Sequence, residues 1–201
     1  MTLYPWGGDF LVGSNNSCVA IVTLSSFFNF PKEKVAIWGR VYTENLGVER
    51  IVANVISNPN IRFVIVCGEE VRGHLPGDAL INLHRAGIDA NRRIVGAGGA
   101  IPYIENIDES AINRFREQVE IIDMRGVTEV DAIGIDSIKN PGPFGSGEPY
   151  IAIRFEKRKE APSTLFLHRS IEVLEFGDVV ELLDEILFHE KIMVSLYGEV
   201  T

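Results

Sequence analysis

Short apolar runs alternate with segments of helical periodicity over the first two thirds of the chain, and this alternation strongly constrains the fold. CVAIVTL (18–24) and RFVIVC (62–67) are continuous apolar runs, as expected for strands covered on both faces. NLGVERIVANVISN (45–58) repeats apolar residues at helical spacing, and PGDALINLHRAG (76–87) begins with proline and ends with glycine. Strands separated by helices favour a parallel sheet with right-handed crossovers. The predicted fold class is therefore α/β, with a mainly parallel sheet and flanking helices.

Further elements continue the series. RRIVGA (92–97) is predicted as a strand, DESAINRFREQ (108–118) as a helix with Asp108 as its N-cap, and VEIIDM (119–124) as another strand. Ligands of parallel sheets bind beyond the carboxyl ends of the strands. The loops after RFVIVC and RRIVGA are therefore expected to meet at one rim.

The composition of NPGPFGSGEP (140–149) is typical of a linker between two domains. A domain of residues 1–139 is expected before it, and a small α+β domain of residues 150–201 after it. In the second domain we expect strand YIAIRFEK (150–157) to pair with TLFLHRS (164–170), followed by helix VVELLDEILFHE (179–190) and strand KIMVSLY (191–197). Asp178 and Glu181 form a capping box at the start of that helix.

Charge and cysteine content exclude several functional classes. The formal net charge is −9 and the basic residues form no dense stripe, which argues against nucleic-acid binding by charge attraction. Cys18 and Cys67 form no C-x-x-C pair, so a zinc site is not expected and a reducing compartment is. No apolar stretch reaches the ~20 residues that a membrane span needs, and the first residues do not resemble a signal peptide. The sequence therefore predicts a cytoplasmic protein without a membrane span.

His74 is the sharpest candidate for a functional residue, in the loop Gly73-His74-Leu75-Pro76-Gly77 after the second apolar run. A lone loop histidine is ordinarily a polar surface residue. The neighbouring glycines, however, allow backbone to approach a ligand closely, and neutral imidazole is a common metal ligand. One histidine without a cluster suits an axial position on a metal held by a macrocycle. For His84, His168 and His189 we expect only packing or solvation.

The loop GAGGAIP (96–102) is a weaker candidate. A dinucleotide fingerprint G-x-G-x-x-G starting at Gly96 would need a glycine where Ile101 stands, and a helix where Pro102 stands. The loop is better interpreted as smooth backbone that lines a broad, flat ligand. The spacing of the carboxylates singles out no acid–base pair among Glu44, Glu69, Glu70, Asp78 and Glu105.

Three segments resemble one known family. TENLGVERIVANVISNPNIRFVIVCGEEVRGH (43–74), GAGGAIPYIENI (96–107) and FREQVEIIDM (115–124) are similar, in order and spacing, to the A subunit of tetrahydromethanopterin S-methyltransferase. The likeness runs from about Trp6 to the region of Ile133. Long agreement of this kind is far more specific than a short motif.

The resemblance implies a Rossmann-like domain that binds a cobamide, cobalamin or a relative, with His74 as the lower axial ligand of cobalt. It further implies a corrinoid-dependent methyltransferase component that carries a methyl group on cobalt from a methyl-tetrahydropterin to an acceptor. In the family that acceptor is coenzyme M; here it is left open. A pterin-specific methyltransferase subunit is the implied partner. The residues expected at the cofactor are Gly68, Gly73, His74, Leu75 and Gly77, then Gly96, Ala97, Gly98, Gly99, Ala100, Ile101 and Pro102, and finally Thr43, Glu44, Asn45 and Gly47.

Three departures from known patterns bear on this interpretation. Some cobalamin proteins use D-x-H-x-x-G, but Arg72 stands where the aspartate would be, so the partner that orients His74 must come from elsewhere. Gly98 stands where the family usually has threonine. The family's complex-forming member also ends in a membrane anchor, where this sequence has the extra α+β segment. A soluble methyl carrier fits these features, and the alternative is a cofactor-free interaction or regulatory module that retains the fold.

Overall fold

The computed structural model describes residues 3–153, together with the backbone of 164–165 and 174–175. The chain divides into two compact units, Met1–Arg154 and Phe155–Thr201. In the second unit, a short strand Thr164–Leu165 pairs antiparallel with Leu174–Glu175. The other elements predicted beyond residue 154, including the capping box of Asp178 and Glu181, lie outside the described residues.

The first unit is built on one mixed sheet of five strands. Its strands are β1 (Phe10–Val12), β2 (Val19–Val22), β3 (Ile37–Gly39), β4 (Phe63–Gly68) and β5 (Glu120–Arg125). Their order is β1-β3-β2-β4-β5, and β1 alone runs antiparallel to its neighbour. The carboxyl ends of the four parallel strands therefore share one edge. Strands β2 and β4 are adjacent, with Ile21 opposite Ile65.

Three helices accompany this sheet in the described part of the chain: α1 (Leu46–Ile56), α2 (Pro76–Ala86) and α3 (Glu109–Gln118). Each has a local reason to begin where it does. The Asn45 side chain accepts a hydrogen bond from the Leu46 amide, and Asp108 accepts one from the Ala111 amide, as the sequence predicted for Asp108. Pro76 opens α2, where a missing amide hydrogen costs nothing.

The helices lie on one face of the sheet, and loops cover the other. Side chains alternate along β2: Ala20 and Val22 join the core beneath the helices, while Val19 and Ile21 join a second cluster around Phe30. The right-handed crossover rule explains this asymmetry, because the connection from β2 to β3 moves towards one sheet edge and later connections move towards the other. The first crossover must then lie on the opposite face, and it is a loop without a helix. The expectation that β2 is covered on both faces is confirmed.

The sequence-based prediction differs from the structure in two places. RRIVGA (92–97) is not a strand of the sheet; it makes only isolated bridges, Ile88 with Ile94 and Arg93 with Tyr103. Ile94 is fully buried, but it is a single apolar anchor between exposed or half-exposed neighbours. Strands β1 and β3, of three residues each, were not predicted, since so short a strand leaves no measurable periodicity.

The segment 140–149 packs against the first unit. The Phe144 amide donates to the Pro59 carbonyl at 2.9 Å. The Phe144 ring also lies beneath two guanidinium groups, with Arg114 at 4.4 Å and Arg62 at 5.5 Å from its centroid. Residues 150–153 continue along this unit as irregular backbone. No helix among residues 3–153 is both long enough and apolar enough to span a membrane.

Candidate functional site

His74 lies in the loop between β4 and α2, beyond the carboxyl end of β4. Val71 forms the turn: its carbonyl accepts hydrogen bonds from the amides of His74 at 3.2 Å and of Leu75 at 2.9 Å. Gly73 has φ +84°, and Leu75, a branched residue, has φ +51° immediately before α2 begins. The His74 side chain is 50% exposed. The loop therefore presents an imidazole to solvent from a tightly turned backbone.

A buried carboxylate holds that imidazole. Glu44, between β3 and α1, is 1% exposed, and its Oε2 lies 2.9 Å from Nδ1 of His74. Its other oxygen, Oε1, accepts a hydrogen bond from the Ile101 amide at 2.7 Å. One side chain thus joins the histidine loop to the loop 96–102. This carboxylate supplies the partner that Arg72 cannot provide.

The charge of Glu44 determines the tautomer of His74. Burial by itself raises the pKa of Glu44, but the hydrogen bonds from the Ile101 amide and from His74 outweigh it and hold that pKa below its ordinary value. A carboxylate can only accept hydrogen bonds, so Nδ1 carries the proton. In neutral imidazole the lone pair is then on Nε2, for which the described residues provide no hydrogen-bond partner. The site therefore offers one oriented nitrogen ligand to an incoming molecule.

The second glycine-rich loop reaches the histidine through specific contacts. The Ala100 amide donates to the Gly73 carbonyl at 3.2 Å, and the Gly98 amide donates to Oδ2 of Asp78 at 2.9 Å. A β-carbon on Gly99 would overlap the His74 carbonyl oxygen and lie 2.9 Å from Cγ of Glu44. The expectation that the two loops meet is correct, although the strand that was expected to bring them together does not form.

Most glycines of the candidate site are required by the protein's own packing. A β-carbon would lie 2.6 Å from Oε1 of Glu70 at Gly77, 2.6 Å from Cγ2 of Val41 at Gly47, and 2.8 Å from the Ser26 side chain at Gly68. At Gly73 it would meet nothing within 4 Å, and at Gly98 only ordinary contacts, with Leu75 at 3.6 Å and Asp78 at 3.7 Å. Open backbone at this site therefore lies at Gly73 and Gly98. The remaining glycines do not need a ligand to explain them.

The other residues of the second loop are unequally accessible. Ile101 is 56% exposed and lies next to the carboxylate that holds His74. Ala97 and Pro102 are buried, and Ala100 is exposed. Gly96 has φ +83°, as a residue without a side chain allows. The loop follows no strand and precedes no helix, so it lacks the setting that a dinucleotide fingerprint requires.

The T-E-N-x-G segment forms the start of α1. Oγ1 of Thr43 accepts a hydrogen bond from the Gly47 amide at 3.0 Å, and Asn45 caps the helix. These contacts fix the backbone on either side of Glu44. They give Thr43, Asn45 and Gly47 a structural role, namely to position the buried carboxylate.

Two further carboxylates organise the site, and the sequence alone did not distinguish them from solvated ones. Glu70 accepts hydrogen bonds from the amides of Gly77 at 3.2 Å and Asp78 at 2.7 Å, and thus satisfies the first turn of α2. Arg125, at the end of β5, lies 3.6 Å from Glu70 and 3.8 Å from Asp78. The available signal was position: both acids lie within four residues of His74, on either side of the start of α2.

His84 has a packing role, as predicted. Its Nε2 lies 2.8 Å from the Val119 carbonyl, and its ring meets Phe115 edge to face at 5.9 Å. His168 and His189 lie outside the described residues. Among residues 3–153, no three histidine, cysteine or acidic side chains come together as a metal cluster. Cys67 is fully buried, and burial raises the pKa of its thiol to about 12.

Comparison with known proteins points to one family. The family model for the A subunit of tetrahydromethanopterin S-methyltransferase matches residues 4–161. The A subunit of the methyltransferase Mtx from Methanosarcina barkeri is 47% identical over 154 residues, which cover 76% of this chain and 78% of the relative. Its counterpart from Methanosarcina acetivorans, also an Mtx A subunit, is 42% identical over 197 residues, covering 96% of this chain and 91% of the relative. The second of the numbered A subunits of tetrahydromethanopterin S-methyltransferase from Methanothermobacter thermautotrophicus is 53% identical over 129 residues, 63% of this chain and 70% of the relative.

Proposed function

The chain belongs to the A-subunit family of tetrahydromethanopterin S-methyltransferase, and on that premise we propose that it is a corrinoid-binding methyl carrier in which His74 is the lower axial ligand of cobalt. The methyl group would come from a methyl-tetrahydropterin and pass to an acceptor that is coenzyme M or another thiol. We further propose a cytoplasmic location.

The observation that carries this proposal is the pairing of His74 with Glu44. A half-exposed imidazole whose Nδ1 is held by a buried carboxylate presents Nε2 outward as a single ligand. One nitrogen cannot enclose a free metal ion, but it complements a macrocycle that supplies the equatorial ligands itself. The donor set of this chain therefore fits a corrinoid.

Each residue then has a defined task. When bound, the corrinoid cobalt would accept and release the methyl group, and its need for an axial nitrogen differs between the two states. His74 would supply that nitrogen, and Glu44 would fix the tautomer of the ring and raise its basicity. The open backbone at Gly73 and Gly98 and the exposed Ile101 side chain would face the flat macrocycle.

Topology supports placing the ligand at this rim. Taken in chain order, the parallel strands β2, β3, β4 and β5 are arranged as second, first, third and fourth, which is the flavodoxin-like order of doubly wound sheets. Ligands of such sheets bind where the strand order reverses, here between β2 and β4, and His74 is in the loop that follows β4. This order also supports the Rossmann-like classification that we propose.

Partner proteins follow from the relatives. The tetrahydromethanopterin S-methyltransferase relatives are named as subunits, so we propose that this chain acts with two partner subunits, one a pterin-specific methyltransferase and the other specific for the acceptor. The match to the Mtx protein of Methanosarcina acetivorans covers 96% of the chain and so includes most of unit Phe155–Thr201. We propose that this unit serves the same partners in both proteins.

A binding experiment tests the proposal. Cobalamin is added to the purified chain, and the visible spectrum is recorded for the wild type, His74→Ala and His84→Ala. We expect stoichiometric binding with a spectrum of imidazole-coordinated corrin, lost in His74→Ala and kept in His84→Ala, because His84 only packs against Phe115. A wild type that binds no corrinoid would refute the proposal and favour the cofactor-free module.

A further inference from the structure

A second, separate cavity lies between α1 and the sheet. Its volume is about 280 Å³. The strands contribute Ala20, Val22 and Ile37, and the helix contributes Ile51 and Val55, so most of its wall is apolar. Neither His74 nor the loop 96–102 lines it. The contacts of His74 therefore leave this space unexplained.

One cation at the cavity has no acidic partner. Arg40 also lines the cavity, but its Nε and a terminal nitrogen contact Asp9 at 2.8 and 2.7 Å. Arg50 makes no ion pair within the described residues, and its buried Nε has no hydrogen-bond partner there. Its guanidinium lies over the Trp6 ring, 5.8 Å from the centroid. An apolar space beside an unpaired guanidinium suits a flat aromatic group that carries an anion.

The cavity adjoins the candidate site through the start of α1. Thr43 and Gly47 line the cavity, and their hydrogen bond spans Glu44, the carboxylate that holds His74. The exposed side chains of Tyr42 and Leu46 stand at the same end of the cavity. A ligand coordinated by His74 could therefore extend an attached group into this space.

The chemistry of a cobamide supplies such a group. Its tail ends in a heteroaromatic base, linked to the corrin through a ribose and a phosphodiester. If His74 occupies the lower axial position, the base cannot coordinate cobalt from that side and must lie elsewhere. We propose that this cavity binds the displaced base, with the phosphodiester against Arg50. This inference rests on the proposed function and adds a binding site for the nucleotide tail.

The test compares corrinoids with and without the tail. Cobalamin, cobinamide, which lacks the nucleotide, and the free base ribotide are titrated into the full chain, and dissociation constants are measured calorimetrically. We expect cobalamin to bind at least about tenfold more tightly than cobinamide. Weak binding of the free ribotide to the wild type, abolished by filling the cavity, would identify the tail as the recognised part.

Two variants with matched controls locate the effect. Ile51→Trp fills the cavity, whereas Ile81→Trp makes the same change at another half-buried helical isoleucine that does not line it. Arg50→Gln removes the unpaired cation, and Lys139→Gln removes an exposed charge elsewhere. Ile51→Trp and Arg50→Gln should weaken cobalamin binding about five- to tenfold and leave cobinamide binding unchanged, while both controls bind as the wild type does.

Failure of this inference differs from failure of the proposed function. Equal affinities of the wild type for cobalamin and cobinamide, both with His74-dependent spectra, would overturn the cavity assignment alone. An equal loss of both corrinoids in Ile51→Trp would overturn it too, because the tail would then not be the group excluded. If neither corrinoid binds the wild type, the proposed function fails and this inference fails with it.

Discussion

At the residue scale, Glu44 connects the local structure to the proposed chemistry. A carboxylate has two acceptor oxygens, and both are used: one for Nδ1 of His74 and one for the Ile101 amide. The sequence singled out His74 because the loop glycines drew attention to it. It did not identify Glu44 as the partner, since burial decides which carboxylate matters and burial is a property of the fold. The position of Glu44 directly before the helix cap Asn45 was the available signal.

Glu44→Gln tests this double role. Glutamine has one acceptor oxygen, so it can satisfy His74 or the Ile101 amide but not both, and its amide group donates where the carboxylate accepted. We expect cobalamin affinity to fall about 10- to 100-fold, as for other groups that orient metal ligands. Calorimetric titration measures this fall.

Glu69→Gln is the control, because Glu69 is exposed and its side chain makes no hydrogen bond within the described residues. Unchanged affinity in Glu44→Gln would mean that the carboxylate does not act on the histidine.

At the element scale, long apolar runs and capped helices were predictable, and short or irregular elements were not. Strands β2, β4 and β5 and all three described helices appear close to their predicted positions. The predicted strand 92–97 fails because Ile94 alone is anchored in the core, while Val95 is exposed. The loop 96–102 still reaches His74, because the side chains of Glu44 and Asp78 accept hydrogen bonds from its backbone. Tertiary contacts, which periodicity does not encode, place this part of the site.

Two neighbouring glycines give opposite predictions for this loop. In Gly99→Ala the new methyl group would overlap the His74 carbonyl, so the two loops must separate. We expect a loss of about 1–3 kcal/mol in unfolding free energy, together with weaker corrinoid binding. Gly98→Thr should be tolerated, because a β-carbon there makes only ordinary contacts, at 3.6 Å or more.

Chemical denaturation and cobalamin titration of both variants provide the measurement. Equal effects of the two substitutions would show that the loops do not pack as described.

At the scale of the whole molecule, the resemblance and the geometry lead to the same site by independent routes. The family match spans residues 4–161, and the strand order places the ligand edge between β2 and β4. The α/β class was predictable from alternation along the chain. The restriction of the described helices to one face was not, because it depends on the directions of the crossovers. The alternative of a cofactor-free module loses one of its motives, since Glu44 replaces the carboxylate missing at Arg72.

The most direct test of the central claim is electron paramagnetic resonance of the protein loaded with reduced Co(II) corrinoid. An axial nitrogen splits the cobalt signal, and the pattern depends on the nitrogen isotope. Protein grown with ¹⁵N-labelled histidine should change each triplet to a doublet, because the ligand is the imidazole of His74, and His74→Ala should lose the splitting from protein nitrogen. A triplet that persists in the labelled wild type would show that cobalt takes its axial nitrogen from elsewhere, and would contradict the assignment.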